Sequence, residues 1–330
     1  MRIWYDACTG KHVRYGVAVA KRLRSLSHKV TLTTRDHPDT TALAKFLKEE
    51  ISVVGKYDPT SLSSRLRESV KRQLRLLEMF EDNPPDYGVS HGSIDLCRVA
   101  FGLGMPAIST ADSPHATAAN KLGLPLVKYL VISKAFPKEL YRKYGVENIV
   151  QFEGVDEVAW VKGYRPVKLE YKKPLIVVRQ AETKAAYAKG RKDVTLEIAR
   201  RLTALGNVVF ISRYERQPEK GLITPKGFVD TVSLAAHADL VVGVGGTMAR
   251  EAALQGTPSL VIPLFGRSHT NDYLAEKGFP IFTSSAKKAL VNAEKHLGTK
   301  KDAKELLEEL ENPVNIIEKL IRDDESDYVV

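Results

Sequence analysis

A glycine-rich turn between two apolar runs is the most chemically suggestive stretch of the sequence. Leu240-Val-Val-Gly243 leads through Gly245, Gly246 and Thr247 into a helical run that stops at Gly256-Thr257-Pro258. Glycines there let backbone approach a ligand closely, and the bare N–H groups and positive dipole end of the helix suit a phosphate. Glu251, about one turn in, would set a carboxylate near the ligand's next polar group, for which a ribose diol is the natural partner. A tight strand-to-helix turn whose glutamate complements the helix dipole fits the same residues. Upstream, Val177-Val-Arg179 leads into Glu182, Lys184 and Tyr187, and Phe210-Ile-Ser212 into Arg213, Arg216 and Gln217. Guanidinium forks suit phosphate oxygens, so Arg179 and Arg213 are candidates to neutralise a nucleotide leaving group, with an interdomain salt bridge as the alternative for each.

The N-terminal half offers acid–base chemistry. Its first apolar run ends in Asp6-Ala-Cys8-Thr-Gly10-Lys11-His12. Gly10-Lys11 lacks the upstream glycine and the following Ser/Thr of a P-loop, which excludes that motif. His12, at a helix start, could act as general base toward an acceptor hydroxyl. His91 ends the fourth apolar run, and Asp112 and His115 follow the fifth, so ionisable groups recur at successive strand ends. These histidines with Asp6 and Asp112 could also ligate a metal, but no short His–His spacing supports it, and neither a metal nor a cofactor is expected.

The stretch from Ser61 to Phe80 reads as a long helix. At 100° per residue Leu62, Leu66, Val70, Leu74 and Leu77 share a face predicted to be core. Arg67, Lys71 and Arg75 stack on the other, with Arg65 and Arg72 alongside. Five basic residues around Glu68 make either a solvated surface or a surface for a polyphosphate, an RNA backbone or anionic lipid.

The elements that must position these residues alternate. Strand-like runs at 2–5, 29–33, 51–54, 87–90, 107–109 and 129–132 are separated by helical spacing at 13–26, 40–49, 61–81, 93–102 and 136–143. The pattern restarts with strands at 175–178, 208–212, 240–244 and 259–263 and helices at 190–204, 231–237, 247–255 and 270–276. Such βαβ repetition implies parallel sheets with helices on both faces, hence an α/β chain of two Rossmann-like domains. A Pro- and charge-rich connector, Gly163 to Pro174, puts the boundary near 165, giving domains 1–165 and 166–330. A cleft between strand ends would hold the site. The acidic end, Asp323 to Asp327, reads as a frayed tail.

With 330 residues, 43% hydrophobic and 27% charged, the chain has an ordinary globular composition, long enough for two domains. No apolar run approaches the length of a membrane span, and the first residues lack the apolar stretch of a secretory signal, which points to the cytoplasm. Cys8 and Cys97 are too few for a disulfide framework. The net charge of +10 sits mostly before residue 166, where 25 Lys/Arg face 18 Asp/Glu, and implies an anionic partner.

From Gly227 to Pro258 the sequence resembles the donor-nucleotide region of GT-B glycosyltransferases of the MurG type and, more distantly, UDP-N-acetylglucosamine 2-epimerase. The shared elements are Phe228-Val229-Asp230, Ala238-Asp239, Gly245, Glu251 six residues later, and Gly256-Thr257-Pro258; Arg250 is not among them. The whole chain resembles most an uncharacterised, largely archaeal family allied to those enzymes. The resemblance implies a GT-B fold that binds a UDP-sugar in the interdomain cleft, with Val229 presenting backbone to the base. Gly245, Gly246 and Thr247 would contact the diphosphate and Glu251 would hold the ribose. It implies glycosyl transfer to an acceptor it does not identify; the basic charge adds the expectation of an anionic one, a phosphorylated lipid, a glycan or RNA, with peripheral membrane contact as one route to it. The paired-glutamate spacing of retaining enzymes is missing, since Ser259 stands eight residues after Glu251, so inversion is expected. A 2-epimerase or hydrolysing epimerase, and an RNA-binding or RNA-modifying protein on the same scaffold, are the alternatives.

Overall fold

The computed structural model describes residues 1–181, 192–213, 219–264 and 266–327. The chain divides into two compact units, Met1–Trp160 together with the chain from Glu311 onward, and Val161–Leu310. In the first unit β1 (Arg2–Ala7), α1 (Gly10–Ser25), β2 (Lys29–Asp36), α2 (Pro38–Phe46), β3 (Ser52–Lys56), α3 (Leu62–Phe80) and β4 (Tyr87–His91) are followed by α4 (Ile94–Gly102), β5 (Ala107–Thr110), α5 (Thr117–Gly123), β6 (Tyr129–Ser133), α6 (Glu139–Arg142), β7 (Ile149–Phe152) and α7 (Val158–Val161). The strands form one parallel sheet in the order β3-β2-β1-β4-β5-β6-β7. Strand order reverses beside β1, and there the ends of β1, β4 and β5 lie together, where open α/β sheets carry their sites.

The second unit repeats the plan. Its elements are β8 (Leu175–Arg179), α8 (Thr195–Leu202), β9 (Asn207–Ile211), β10 (Leu222–Ile223), α9 (Thr231–His237), β11 (Leu240–Gly243), α10 (Thr247–Leu254), β12 (Ser259–Val261), α11 (His269–Glu276), β13 (Ile281–Thr283), α12 (Ala289–His296) and α13 (Lys304–Glu309). Its parallel sheet runs β10-β9-β8-β11-β12-β13. Ile176 and Val178 pack into one core with α8 and α12, while Leu175 and Val177 pack into another with α9 and α10. A strand buried on both faces reads as a continuous apolar run, which is why β8 was legible in the sequence. β7, β10 and β13, each with no more than two adjacent apolar residues and no alternation, were not.

Three sequence expectations need correction. The chain does not stay with the second domain after residue 165: α14 (Pro313–Asp327) returns to the first unit, burying Val314, Ile317 and Ile321. Its acidic end is anchored, not frayed, because Asp324 accepts bonds from Lys128 Nζ (2.5 Å), the Tyr87 hydroxyl (2.6 Å) and the Tyr129 hydroxyl (3.0 Å). The third concerns α3, whose buried residues are Arg72, Leu76 and Phe80. Leu62, Leu66, Val70 and Leu74, expected in the core, are exposed. Arg72, expected in solvent, faces inward because Asp6 and Asp95 wait there as its partners.

Candidate functional site

In the first unit Lys11, in the first turn of α1, organises the rim. Its ammonium donates to Asp112 Oδ2 at 2.5 Å, in the loop after β5, and to Asp156 Oδ2 at 2.8 Å, after β7; Glu157 lies 3.9 Å away. His91, the last residue of β4, turns Nε2 toward the same carboxylates, 3.5 Å from Asp112 and 3.9 Å from Asp156. Its Nδ1 is 2.6 Å from the Thr110 hydroxyl, which fixes the ring. The His12 ring meets His91 edge-on at 4.8 Å between centroids. The side chains of Asp156 and His91 are 4% and 6% exposed and that of Asp112 20%, so Asp112 is the member most open to a reactant.

Of the residues the sequence suggested, His12 lies in the first turn of α1, His91 at the end of β4 and Asp112 after β5, within one cluster. His115 stands apart: it is exposed in the turn after β5, its carbonyl accepting from Thr117 N at 2.8 Å. Burial, then His91, Lys11 and Arg35, hold the His12 pKa well below that of a free imidazole, against the raising pull of Asp112. His12 is therefore neutral near pH 7. Because Cys8 N donates to its Nδ1 at 3.3 Å, the ring proton sits on Nε2. In that tautomer His12 offers a donor, not the base the sequence suggested. Burial also raises the Cys8 thiol's pKa, although Arg35 opposes it, so the thiolate is disfavoured.

His91, Asp112 and Asp156 bring three ligating atoms within 4.8 Å, a grouping that could hold a metal ion. Lys11 is already bonded to both carboxylates and supplies the positive charge they need. Asp6, the other acid considered, takes no part. It is fully buried, accepts from Arg72 Nη2 (2.5 Å) and Nη1 (2.9 Å), Thr33 Oγ1 (2.6 Å) and Ser93 Oγ (2.5 Å), and so braces the sheet beneath the rim. Burial opposes the Arg72 charge, but Asp6 outweighs it and keeps the guanidinium protonated. Sequence reasoning missed Lys11, set aside with the P-loop, and Asp156 and Glu157, which follow a strand too short to read. Had 149–152 been taken as a strand, Asp156 would have stood at the rim by the same argument as Asp112.

In the second unit β11 ends at Gly243, and the chain turns through Gly245 (φ 89°) and Gly246 (φ 126°), conformations that favour glycine. Gly246 is the N-cap of α10, no side chain among the described residues caps the helix, and a Cβ on Gly246 would meet nothing within 4 Å. The N–H groups of Thr247 and Met248, at the first two positions of α10, have no acceptor within the helix, whereas Ala249 N donates to the Gly246 carbonyl at 3.2 Å. Arg179 ends β8 beside β11, where a Cβ on Gly243 would lie 3.9 Å from its own Cβ. Glu251 is buried and accepts from Thr231 Oγ1 at 2.9 Å. Val229 packs half-buried beside α9, whose N-cap Asp230 accepts from Ser233 N at 3.0 Å and from the Tyr164 hydroxyl at 2.6 Å. Arg213 is tied to Gln180, donating from its backbone N (2.9 Å) and its Nε (3.1 Å). Glu182, Lys184, Tyr187, Arg216 and Gln217 lie outside the described residues.

The basic residues of α3 line a separate surface. A cavity of about 400 Å³ is bordered by Asp36, Gly55, Lys56, Glu68, Lys71 and Arg75; Arg67 is exposed outside it. No helix among the described residues is long and apolar enough to cross a membrane.

Comparison with solved structures identifies the fold as GT-B. The UDP-GlcNAc 2-epimerase of Methanocaldococcus jannaschii matches with a TM-score of 0.67 at 12% identity, covering 98% of this chain and 100% of that one. The spinosyn forosaminyltransferase SpnP matches at 0.64 and 15%, covering 98% of each. In sequence, an uncharacterized protein of M. jannaschii, MJ0665, is 31% identical over 333 residues, 96% of both chains. A family model covers residues 1–325, and with it the glycine turn, the Lys11 rim and α3 alike: the chain belongs to the family described as protein of unknown function (DUF354).

Proposed function

We propose that this protein is a nucleotide-sugar enzyme that transfers a glycosyl group from a UDP-sugar, with inversion, to an acceptor hydroxyl. The observation that carries this is the uncapped N-terminus of α10 behind Gly245 and Gly246, with Arg179 on the adjoining strand. The open N–H groups and the helix dipole would take the diphosphate, and Arg179 and Arg213 would offset its charge as it leaves. Glu251, held by Thr231, would take the ribose hydroxyls, and Val229 the base. The proton chemistry falls to the first unit. There Asp112 is the base, being the most open carboxylate of the cluster. The family resemblance supports the donor half of this reading, and the acceptor is left open by it.

A 2-epimerase is the second reading. It is favoured by the gathering of Lys11, Asp112, Asp156 and His91 in one unit, where acid and base groups could remove and return protons on the bound sugar without an acceptor. Calorimetric titration and turnover separate the cases. Glu251→Ala should weaken UDP-sugar binding more than tenfold, since a hydrogen bond to a charged group is worth about 1.5–3 kcal/mol. Arg179→Gln should weaken UDP more than uridine. Asp112→Asn should lower turnover roughly 100-fold with donor affinity unchanged. Release of an epimer or of UDP by the wild type at full rate without any acceptor would replace transfer by epimerisation, and a folded Glu251→Ala variant that binds as wild type would sink the donor site.

A further inference from the structure

α3 leaves a row of aliphatic side chains in water. Leu62, Leu66, Val70 and Leu74 recur every four residues and so stack along one side of the helix, where they are 82%, 66%, 56% and 55% exposed. Single apolar residues on a surface need no explanation, but a continuous row marks a contact. Each of the last three is followed by a cation, Arg67, Lys71 and Arg75, which form a second row about 100° further round. Beyond that row lies the cavity of about 400 Å³, where Lys56 joins Lys71 and Arg75. An apolar band with Lys and Arg along its flank is the pattern of helices that lie in the plane of a membrane surface.

We propose that α3 docks this protein on an anionic bilayer. Leu62, Leu66, Val70 and Leu74 enter the boundary between headgroups and acyl chains, and Arg67, Lys71 and Arg75 meet lipid phosphates, with the cavity beside them receiving a headgroup. The helix lies along the bilayer rather than across it, since no helix among the described residues can span one. Charge complementarity selects this occupant. Two copies of α3 paired antiparallel about a two-fold axis would set the cation row against itself, and RNA would use the cations while leaving four aliphatic side chains wet. The inference does not depend on the proposed reaction.

The test is co-sedimentation of the full chain with vesicles of phosphatidylcholine alone and with roughly 30% phosphatidylglycerol, each cation near such a surface being worth about fivefold in affinity. The wild type should bind the anionic vesicles at least about tenfold more tightly than the neutral ones and release them as salt rises. Leu66→Ser/Val70→Ser/Leu74→Ser and Arg67→Glu/Lys71→Glu/Arg75→Glu should each lose binding by at least about tenfold while melting as the wild type does, because the altered side chains are exposed. Should the first triple variant misfold, Leu62→Ser, at the first position of the helix, gives the same comparison with a smaller loss. Failure of the wild type to sediment with anionic vesicles, or unchanged binding by the serine variants, overturns the proposal. So does a wild-type dimer that the serine variant dissociates without any vesicle binding. Binding of a short RNA, lost with the cations alone and unaccompanied by vesicle binding, overturns it too.

Discussion

Lys11 is the residue on which the first unit's rim turns. In the sequence it sits beside Gly10 in a broken imitation of a phosphate loop; in the fold its ammonium is shared between Asp112 and Asp156. Burial first, then His91 and that positive charge, keep the neighbouring His12 neutral. The consequence is measurable as stability. A histidine whose pKa is depressed in the folded state binds fewer protons there than in the unfolded chain, so the folded state loses ground as pH falls through the ordinary histidine value of about 6.5. Urea midpoints should therefore drop between about pH 7 and pH 5, and His12→Gln, which cannot titrate, should drop less. An equal drop in both would place the pH dependence elsewhere.

At the scale of elements, α3 shows how a buried ion network overrides amphipathic pattern. Ser61 caps the helix by accepting from Ser64 N at 3.0 Å, so the start was legible as a local signal. Its rotation was not. Arg72 reaches Asp6, Asp95 and the Val54 carbonyl at 2.5–2.9 Å, and burying those carboxylates without it would leave charges uncompensated. Arg72→Met should thus cost about 3–5 kcal/mol, the penalty of breaking a buried pair from one side, read as a shift of the urea midpoint. A loss below about 1 kcal/mol, typical of a surface pair, would return Arg72 to the solvent face.

At the scale of the molecule, α14 ties the end of the described chain to the first unit. Arg22 donates to Glu318 Oε2 through Nη2 (2.7 Å) and Nε (3.1 Å), and Asp324 gathers Lys128, Tyr87 and Tyr129. Burial raises the Asp324 pKa, but the bonds from these three outweigh it and the net shift is downward. Asp324→Ala should destabilise the first unit by about 1.5–3 kcal/mol, the worth of hydrogen bonds to a charged group. Hydrogen exchange should show the loss in β4 and β6 while amides of the second unit keep their protection. Equal losses in both units would show that they unfold together.

What the sequence determined by itself was whatever local physics encodes. Alternating β-branched runs and helical spacing dictated two parallel sheets. Gly245 and Gly246 dictated a turn and a bare helix start, because no other residue takes those backbone angles cheaply. His91 and Asp112 were placed at strand ends because parallel strands all end on one side of a sheet. The tertiary structure alone decided the rest, where partners far apart in the chain had to meet. Asp156 reached Lys11 across 145 residues, Arg72 reached Asp6 across 66, and Asp324 reached Tyr87 across 237. An ion pair or charged hydrogen bond of that range has no period or spacing to betray it. Its cost of desolvation is met only when the partner arrives, so it can turn a helix such as α3 and leave its leucines in water.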